Sequence, residues 1–146
     1  MHIRQAQASD VSTIEDIVER AYSRYIQRIG RRPAPMDDDY AERIRRGQAF
    51  VAEDVHVTGL IILIGEPDHV LIENVAVDLR HQGEGIGRAL LDYAETSARA
   101  LGAAELRLYT NAAMTENLVL YTRLGYQEID RRTENGFERV FFSKCL

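Results

Sequence analysis

The stretch Arg80-His81-Gln82-Gly83-Glu84-Gly85-Ile86-Gly87-Arg88 places three glycines within five positions, immediately before an apolar helical stripe. Glycine disfavours regular structure, so its concentration at a helix start calls for a reason. A strand that ends in such a turn and feeds a helix is suited to anions. The backbone can approach a phosphate closely, several N–H groups point at it, and the positive end of the helix dipole adds attraction. Arg80 supplies a charge able to pair with a phosphate. A second chemical signal lies just upstream. Glu73 is a carboxylate inside the apolar run "VLIENVAV", where an ionised group is costly unless it has a partner or a task.

Two familiar anion loops do not fit. A nucleotide-binding P-loop requires Lys-Ser/Thr after its last glycine, and that pair is missing here. The dinucleotide fingerprint requires G-x-G-x-x-G near the first strand of a doubly wound fold. Here the spacing Gly83-Glu84-Gly85-Ile86-Gly87 is one residue short, and the motif sits mid-chain.

The elements that must position these residues follow from periodicity. A short strand at Ile3 to Gln5 precedes a helix capped by Ser9 or Asp10, with Ile14, Ile17, Val18, Ala21, Tyr22 and Tyr25 at helical spacing. "RIGRRPAPMDDDY", with Gly30, Pro33 and Pro35, reads as a loop. A short helix follows over Asp38 to Arg46 and stops at Gly47. "AFVAED" and "HVTGLIILIG" form a hairpin, and "HVLIENVAV", apolar on both faces, reads as the middle of a covered sheet. The long helix carries Ile86, Ala89, Leu90, Tyr93, Ala94 and Leu101 and ends at Gly102. "AELRLYT" is then a strand parallel to "HVLIENVAV". "TENLVLYTRLG" is a short helix capped by Thr115. The chain closes on a hairpin turning at Glu134-Asn135-Gly136.

Composition sets the bounds. The 146 residues fit one domain, 1–146, and are 45% hydrophobic and 28% charged, as in soluble globular proteins. A net charge of −5 argues against nucleic acid or a membrane surface as partner. The single cysteine, Cys145, excludes an internal disulfide. The longest apolar run, Leu60 to Ile64, is far short of the ~20 residues of a membrane span, and no leader sequence is recognisable. The expectation is a cytoplasmic protein. Its four histidines, His2, His56, His69 and His81, show no ligand spacing, so no metal is expected.

The sequence resembles the GCN5-related N-acetyltransferases. Their acyl-CoA signature, R/Q-x-x-G-x-G/A after a central strand, matches Arg80-His81-Gln82-Gly83-Glu84-Gly85. Their downstream Asn, Tyr four residues later and Gly-Phe/Tyr match Asn117, Tyr121 and Gly125-Tyr126. The order of elements fits along the whole chain. The resemblance implies an α/β fold: a mixed, mostly antiparallel central sheet flanked by about four helices, with one parallel strand pair splayed to admit acetyl-CoA. It implies direct transfer of an acetyl group to a primary amine, with a small molecule as the expected acceptor. A protein N-terminus or lysine is the alternative within the class, and a non-catalytic acyl-CoA-binding module the alternative outside it. A homodimer is a further implication of the resemblance.

The resemblance also distributes roles. Backbone N–H groups of Gly83, Glu84, Gly85, Ile86, Gly87 and Arg88, with Arg80, are expected at the pyrophosphate. Val75, Ala76 and Val77 are expected to pair with the pantetheine arm and to polarise the thioester carbonyl. Asn111 and Asn117 are candidates for the pantetheine amides. Tyr121 is expected to protonate the leaving thiolate. An alkyl amine of pKa near 10 is only about 0.1% neutral at pH 7, so a base helps, and Glu73 is the candidate. Strand alternation places Glu73 beside Leu71 and Val75 and opposite Asn74. The first two helices and their loop are expected to shape the acceptor pocket, with Tyr22, Tyr25, Met36, Asp38 and Tyr40 as its candidates and Asp37 and Asp39 flanking Asp38.

Overall fold

The computed structural model describes residues 1–146. Seven strands form one sheet: β1 (His2–Gln5), β2 (Ala49–Glu53), β3 (Val57–Gly65), β4 (His69–Val77), β5 (Glu105–Asn111), β6 (Gln127–Glu134) and β7 (Phe137–Cys145). Their spatial order is β1-β2-β3-β4-β5-β7-β6, and every pairing is antiparallel except β4 with β5. The helices are α1 (Val11–Tyr22), α2 (Tyr25–Ile29), α3 (Tyr40–Arg45), α4 (Ile86–Ala100) and α5 (Thr115–Arg123). None is long and apolar enough to cross a membrane.

The sheet is the middle of three layers. On one face, Ile86, Leu90, Leu91, Ala94 and Ala98 of α4 and Tyr121 of α5 pack on Ile61, Ile72, Leu106, Leu108, Val140 and Phe142. On the other, Ile14, Ile17, Val18 and Ala21 of α1 and Tyr40 of α3 pack on Val51, Leu60, Ile62 and Ala76. Strands buried on both sides explain the near-continuous apolar runs of β3 and β4.

Several local expectations are corrected. Asp10 stands at the N-cap of α1, as expected, but its side chain makes no capping bond to the helix. A 3-10 turn, Ala8–Asp10, precedes the helix, and the Asp10 carboxylate reaches back to accept from the Gln7 amide at 2.7 Å and from Arg4 at 2.8 Å. Tyr25 is not the last residue of the α1 stripe, because the chain turns at Ser23 and restarts as α2, a fifth helix. The following "loop" is likewise partly regular, with a 3-10 turn over Ala34–Asp37 entered through Pro33. The cap of α3 is Asp39, which accepts from the Glu42 amide at 3.1 Å. Met114, not Thr115, stands at the N-cap of α5. The final turn follows expectation: Asn135 and Gly136 both take positive φ, 52° and 80°, as a two-residue hairpin loop of that hand requires.

The decisive feature is a β-bulge in β4. Ile62 pairs with Asn74 and the next residue, Leu63, pairs with Ile72, so Glu73 is an extra residue. The insertion shifts the alternation by one. Val70 and Ile72 face the α4 layer, but so do Val75 and Val77, while Ala76 faces α1. The expected alternation through Glu73 therefore fails. Pairing with β5 also stops at this point: only His69–Ile72 pair with Glu105–Leu108. Beyond it β4 stays with β3 as far as Val77, and β5 stays with β7 as far as Asn111, leaving their shared edge open.

Candidate active site

A cleft of about 700 Å³ runs through this opening from the α4–α5 face to the α1–α3 face of the sheet. Its first wall is the free edge of β4. Asp78 donates its N–H to Thr58 of β3. In an antiparallel ladder, residues alternate between facing the partner strand and facing away. Asn74 and Ala76 therefore face β3, and Val75 and Val77 turn their N–H and C=O groups into the opening. Of the three residues expected to bind pantetheine, Ala76 has no free main-chain groups on that side. The free carbonyls receive only long contacts, from the Tyr22 hydroxyl to Val75 at 3.3 Å and from the Gln82 amide to Val77 at 3.5 Å.

The second wall is the start of α4. Gly83 and Gly85 hold φ of 85° and 83°, a left-handed conformation that side chains disfavour, and Gly85 is the N-cap. The first intrahelical bond is donated by Ala89 to Gly85. The amides of Ile86, Gly87 and Arg88 are thus without helix partners, and no side chain caps them. His81, Gln82, Gly83, Gly85, Ile86, Gly87 and Arg88 line the cleft, whereas Glu84 does not. Arg80 does not line it either. Its exposed guanidinium bonds Asp78 at 3.1 Å, and the buried Asp78 carboxylate is shared with Arg20 at 2.9 Å.

The third wall comes from β5 and α5. Asn111 and Asn117 line the cleft. Asn111 Oδ1 accepts from the Ala113 amide at 2.9 Å, and Asn117 donates to Thr110 Oγ1 at 3.2 Å. Tyr121 is buried against Tyr126 and Phe142 and borders the cleft. Burial alone pushes its hydroxyl up to about 12, with no charge or side-chain hydrogen bond contributing.

The bulge brings Glu73 to the α1–α3 face. The Tyr109 hydroxyl donates to Glu73 Oε1 at 2.6 Å, and Arg43 lies 4.0 Å from the same oxygen. Burial first, then the hydrogen bond and charge of Glu73, raises Tyr109 well above its ordinary value, so the phenol stays protonated. Across the sheet, Arg139 stacks 4.4 Å from the Tyr109 ring centroid, and Phe137 stands beside it.

The acceptor-side candidates divide. Tyr22 and Asp38 line the cleft; Tyr25, Met36 and Tyr40 do not. The Tyr22 hydroxyl donates to Asn74 Oδ1, whose amide donates at 3.0 Å to Tyr40, which donates at 2.5 Å to the Pro35 carbonyl. Tyr40 is buried and serves as a strut that ties the 3-10 turn to β4. Tyr25 is a stacking platform for Arg24 and Arg28, and Met36 packs on the α1 core. Asp38 pairs with Arg43 at 3.0 Å. Sequence reasoning did not single out Asn74, Tyr109, Phe137 or Arg139. Tyr109 and Arg139 each alternate with core residues, which signals a face, but only the register brings those faces to Glu73.

Away from the cleft, Asp68, His69 and Glu105 place ligand atoms within 4.8 Å of one another. The Glu105 carboxylate is already held by Arg107 and Ser143.

Residues 45–128, more than half of the chain, match the family described as acetyltransferase (GNAT) domain. The chain belongs to the GNAT acetyltransferase family. Among GNAT relatives it is 34% identical over 83 residues to a mycothiol acetyltransferase of Jonesia denitrificans, covering 56% of this chain and 26% of that protein. It is 36% identical over 61 residues to the [ribosomal protein bS18]-alanine N-acetyltransferase of Escherichia coli K12, covering 42% and 41%. The chain thus spans about a quarter and two fifths of these relatives' lengths in the matched stretches. The fold matches that of the paiA N-acetyltransferase of Thermoplasma acidophilum in complex with coenzyme A, with a TM-score of 0.82 at 17% identity over 99% of this chain and 98% of that one. It also matches the Escherichia coli ribosomal-protein-S18-alanine N-acetyltransferase, with a TM-score of 0.78 at 22% identity over 99% and 92%. At these identities the likeness concerns the GNAT fold.

Proposed function

We propose that this protein is an acetyl-CoA-dependent N-acetyltransferase acting on a primary amine of a small molecule. The observation that carries the reading is the opening of β4 from β5 at the Glu73 bulge, which sets a free strand edge beside the uncapped start of α4. A ligand with a diphosphate at one end and an amide-bearing arm at the other matches that pair of features. The residues present fit acetyl-CoA as a substrate: amides of Gly83 to Arg88 for the diphosphate, and Val75 and Val77 for the arm.

The chemistry follows from the two faces of the opening. The thioester carbon lies between the amide edge of β4 and Tyr121, and the amine enters from the side of Glu73. The neutral amine attacks the carbonyl carbon, and an amide N–H of the β4 edge stabilises the oxyanion. The nitrogen passes its proton to Glu73, directly or through water. The N–C bond forms, the C–S bond breaks, and Tyr121 protonates the departing sulfur before regaining a proton from solvent. Burial keeps Tyr121 protonated and raises the proton affinity of a thiolate formed in the same cleft as well, so the two groups stay comparable as proton donor and acceptor.

A small acceptor is supported by the covering of the acceptor side. Arg31 donates to the Asn135 carbonyl at 2.9 Å and stacks 3.9 Å from the Phe137 ring centroid. That contact ties the segment after α2 to the β6–β7 turn. A peptide N-terminus is the second reading, favoured by the resemblance to the ribosomal-protein enzyme. Release of thiol from acetyl-CoA, measured with a panel of small amines and N-terminal peptides, tests both. Calorimetry with coenzyme A tests the foundation. Absence of affinity at millimolar concentration would overturn the assignment.

A further inference from the structure

The acceptor end of the cleft is lined by charges of both signs, and they differ in how they are satisfied. Asp37 is paired with Arg32 at 3.1 Å, and Asp38 with Arg43 at 3.0 Å. Arg24 lines the cleft and forms no ion pair. Its Nη2 donates to the Tyr25 hydroxyl at 3.0 Å, and its guanidinium lies 4.8 Å from that ring centroid. Arg139 also lines the cleft, with its side chain 11% exposed. Glu134 holds only its Nη1, at 3.0 Å, and that carboxylate is shared with Arg132. The carboxylate of Glu73, the phenol of Tyr109 and the guanidinium of Arg139 therefore stand in a row across β4, β5 and β7. The amine end of an acceptor belongs beside Glu73. A group of opposite charge suits the other end, because the shared Glu134 carboxylate engages only Nη1 and the remaining donors of this enclosed guanidinium are better satisfied by an oxyanion than by an apolar chain.

We infer that the acceptor is a small amino acid, an amine bearing a carboxylate, and that Arg139 and Arg24 receive that carboxylate while Glu73 faces the amine. The inference rests on the acetyl-transfer reading above and goes further by assigning the acceptor's chemical class. Glu73, Tyr109 and Arg139 then measure the acceptor from end to end, and Phe137 covers its flank.

The test uses matched acceptors in the thiol-release assay with the full chain. Tyrosine is compared with tyramine and with tyrosine methyl ester, and γ-aminobutyrate with propylamine. The carboxylate-bearing member of at least one pair is expected to show a kcat/KM about tenfold or more above its partner. Arg24→Gln, an exposed substitution with little risk to folding, and Arg139→Gln are expected to bring that ratio toward one, with coenzyme A affinity retained. Arg139→Lys should keep part of it. Equal rates within every pair, a ratio that survives both glutamine variants, or turnover confined to N-terminal peptides would overturn the inference while leaving acetyl transfer intact. Coenzyme A binding with no turnover of any pair would overturn it as well. Failure to bind coenzyme A would instead remove the acetyl-transfer reading itself.

Discussion

The Tyr109 hydroxyl donates a 2.6 Å hydrogen bond to Glu73, joining two strands that no longer pair where these residues stand. The bond spans the mouth of the opening on the α1–α3 face of the sheet. It orients the only carboxylate on the β4 wall, and Arg43 sits 4.0 Å from the same oxygen. Removing the phenol leaves Arg43 as the remaining partner and draws the carboxylate away from the opening. For Tyr109→Phe we expect acceptor kcat/KM to fall about tenfold, in line with ~1.5–3 kcal/mol for a hydrogen bond to a charged group. Coenzyme A affinity should be unchanged. A parallel loss of coenzyme A affinity would mark the bond as a fold contact alone.

Tyr121 is held at the opposite face as a protonated phenol, pushed up to about 12 by burial. Tyr121→Phe keeps the packing on Tyr126 and Phe142 and deletes only the donor. Turnover is expected to drop at least tenfold with little change in coenzyme A affinity. Retention of full turnover in this variant would take Tyr121 out of the chemistry.

Gly85 separates the effect of conformation from that of space. An added Cβ would meet nothing within 4 Å, yet φ is 83°. Gly85→Ala therefore carries a backbone cost of about 1–2 kcal/mol without a clash. The urea midpoint is expected to fall modestly and the dissociation constant for coenzyme A to rise, because relief of strain turns the amides of Ile86 to Arg88 away. A stability loss unaccompanied by weaker binding would detach this turn from the ligand.

Asp78 links the same turn to pH. Burial by itself would raise its carboxyl, but hydrogen bonds from Arg20, from the Arg80 side chain and from the Arg80 amide outweigh that and hold it well below the usual range. A depressed folded-state value means the stabilisation is complete above the unfolded value, about 3.9 for Asp, and is lost as pH falls through and below it. Wild-type stability should therefore drop from about pH 4 downward. Asp78→Asn should be less stable at pH 7 and show a shallower acid slope, read by urea unfolding at a series of pH values. An unchanged slope would show that Asp78 does not report on folding.

Much of the architecture is already decided by local rules. The amphipathic stripe of α4, the Asn135-Gly136 turn and the two-sided apolar runs of β3 and β4 each follow from periodicity or from backbone freedom that a few residues dictate. The glycines at 83, 85 and 87 marked a turn ahead of a helix start, but that Gly83 and Gly85 take positive φ came only with the structure. Tertiary structure decided which faces meet. One extra residue, Glu73, switches the faces to which the later side chains of β4 point, and a period-two pattern carries no mark of where a ladder will skip. Tyr40 has the side chain of a binding residue but is consumed as a strut through Asn74. Arg80 has the charge for a phosphate but is taken by Asp78. Tyr109, Phe137 and Arg139 look like ordinary strand residues until β5 and β7 bring them beside the bulge. Local sequence sets φ, ψ and the buried stripe. The partner that satisfies each charge and hydroxyl is chosen by residues far away in the chain, and only the folded register brings those together.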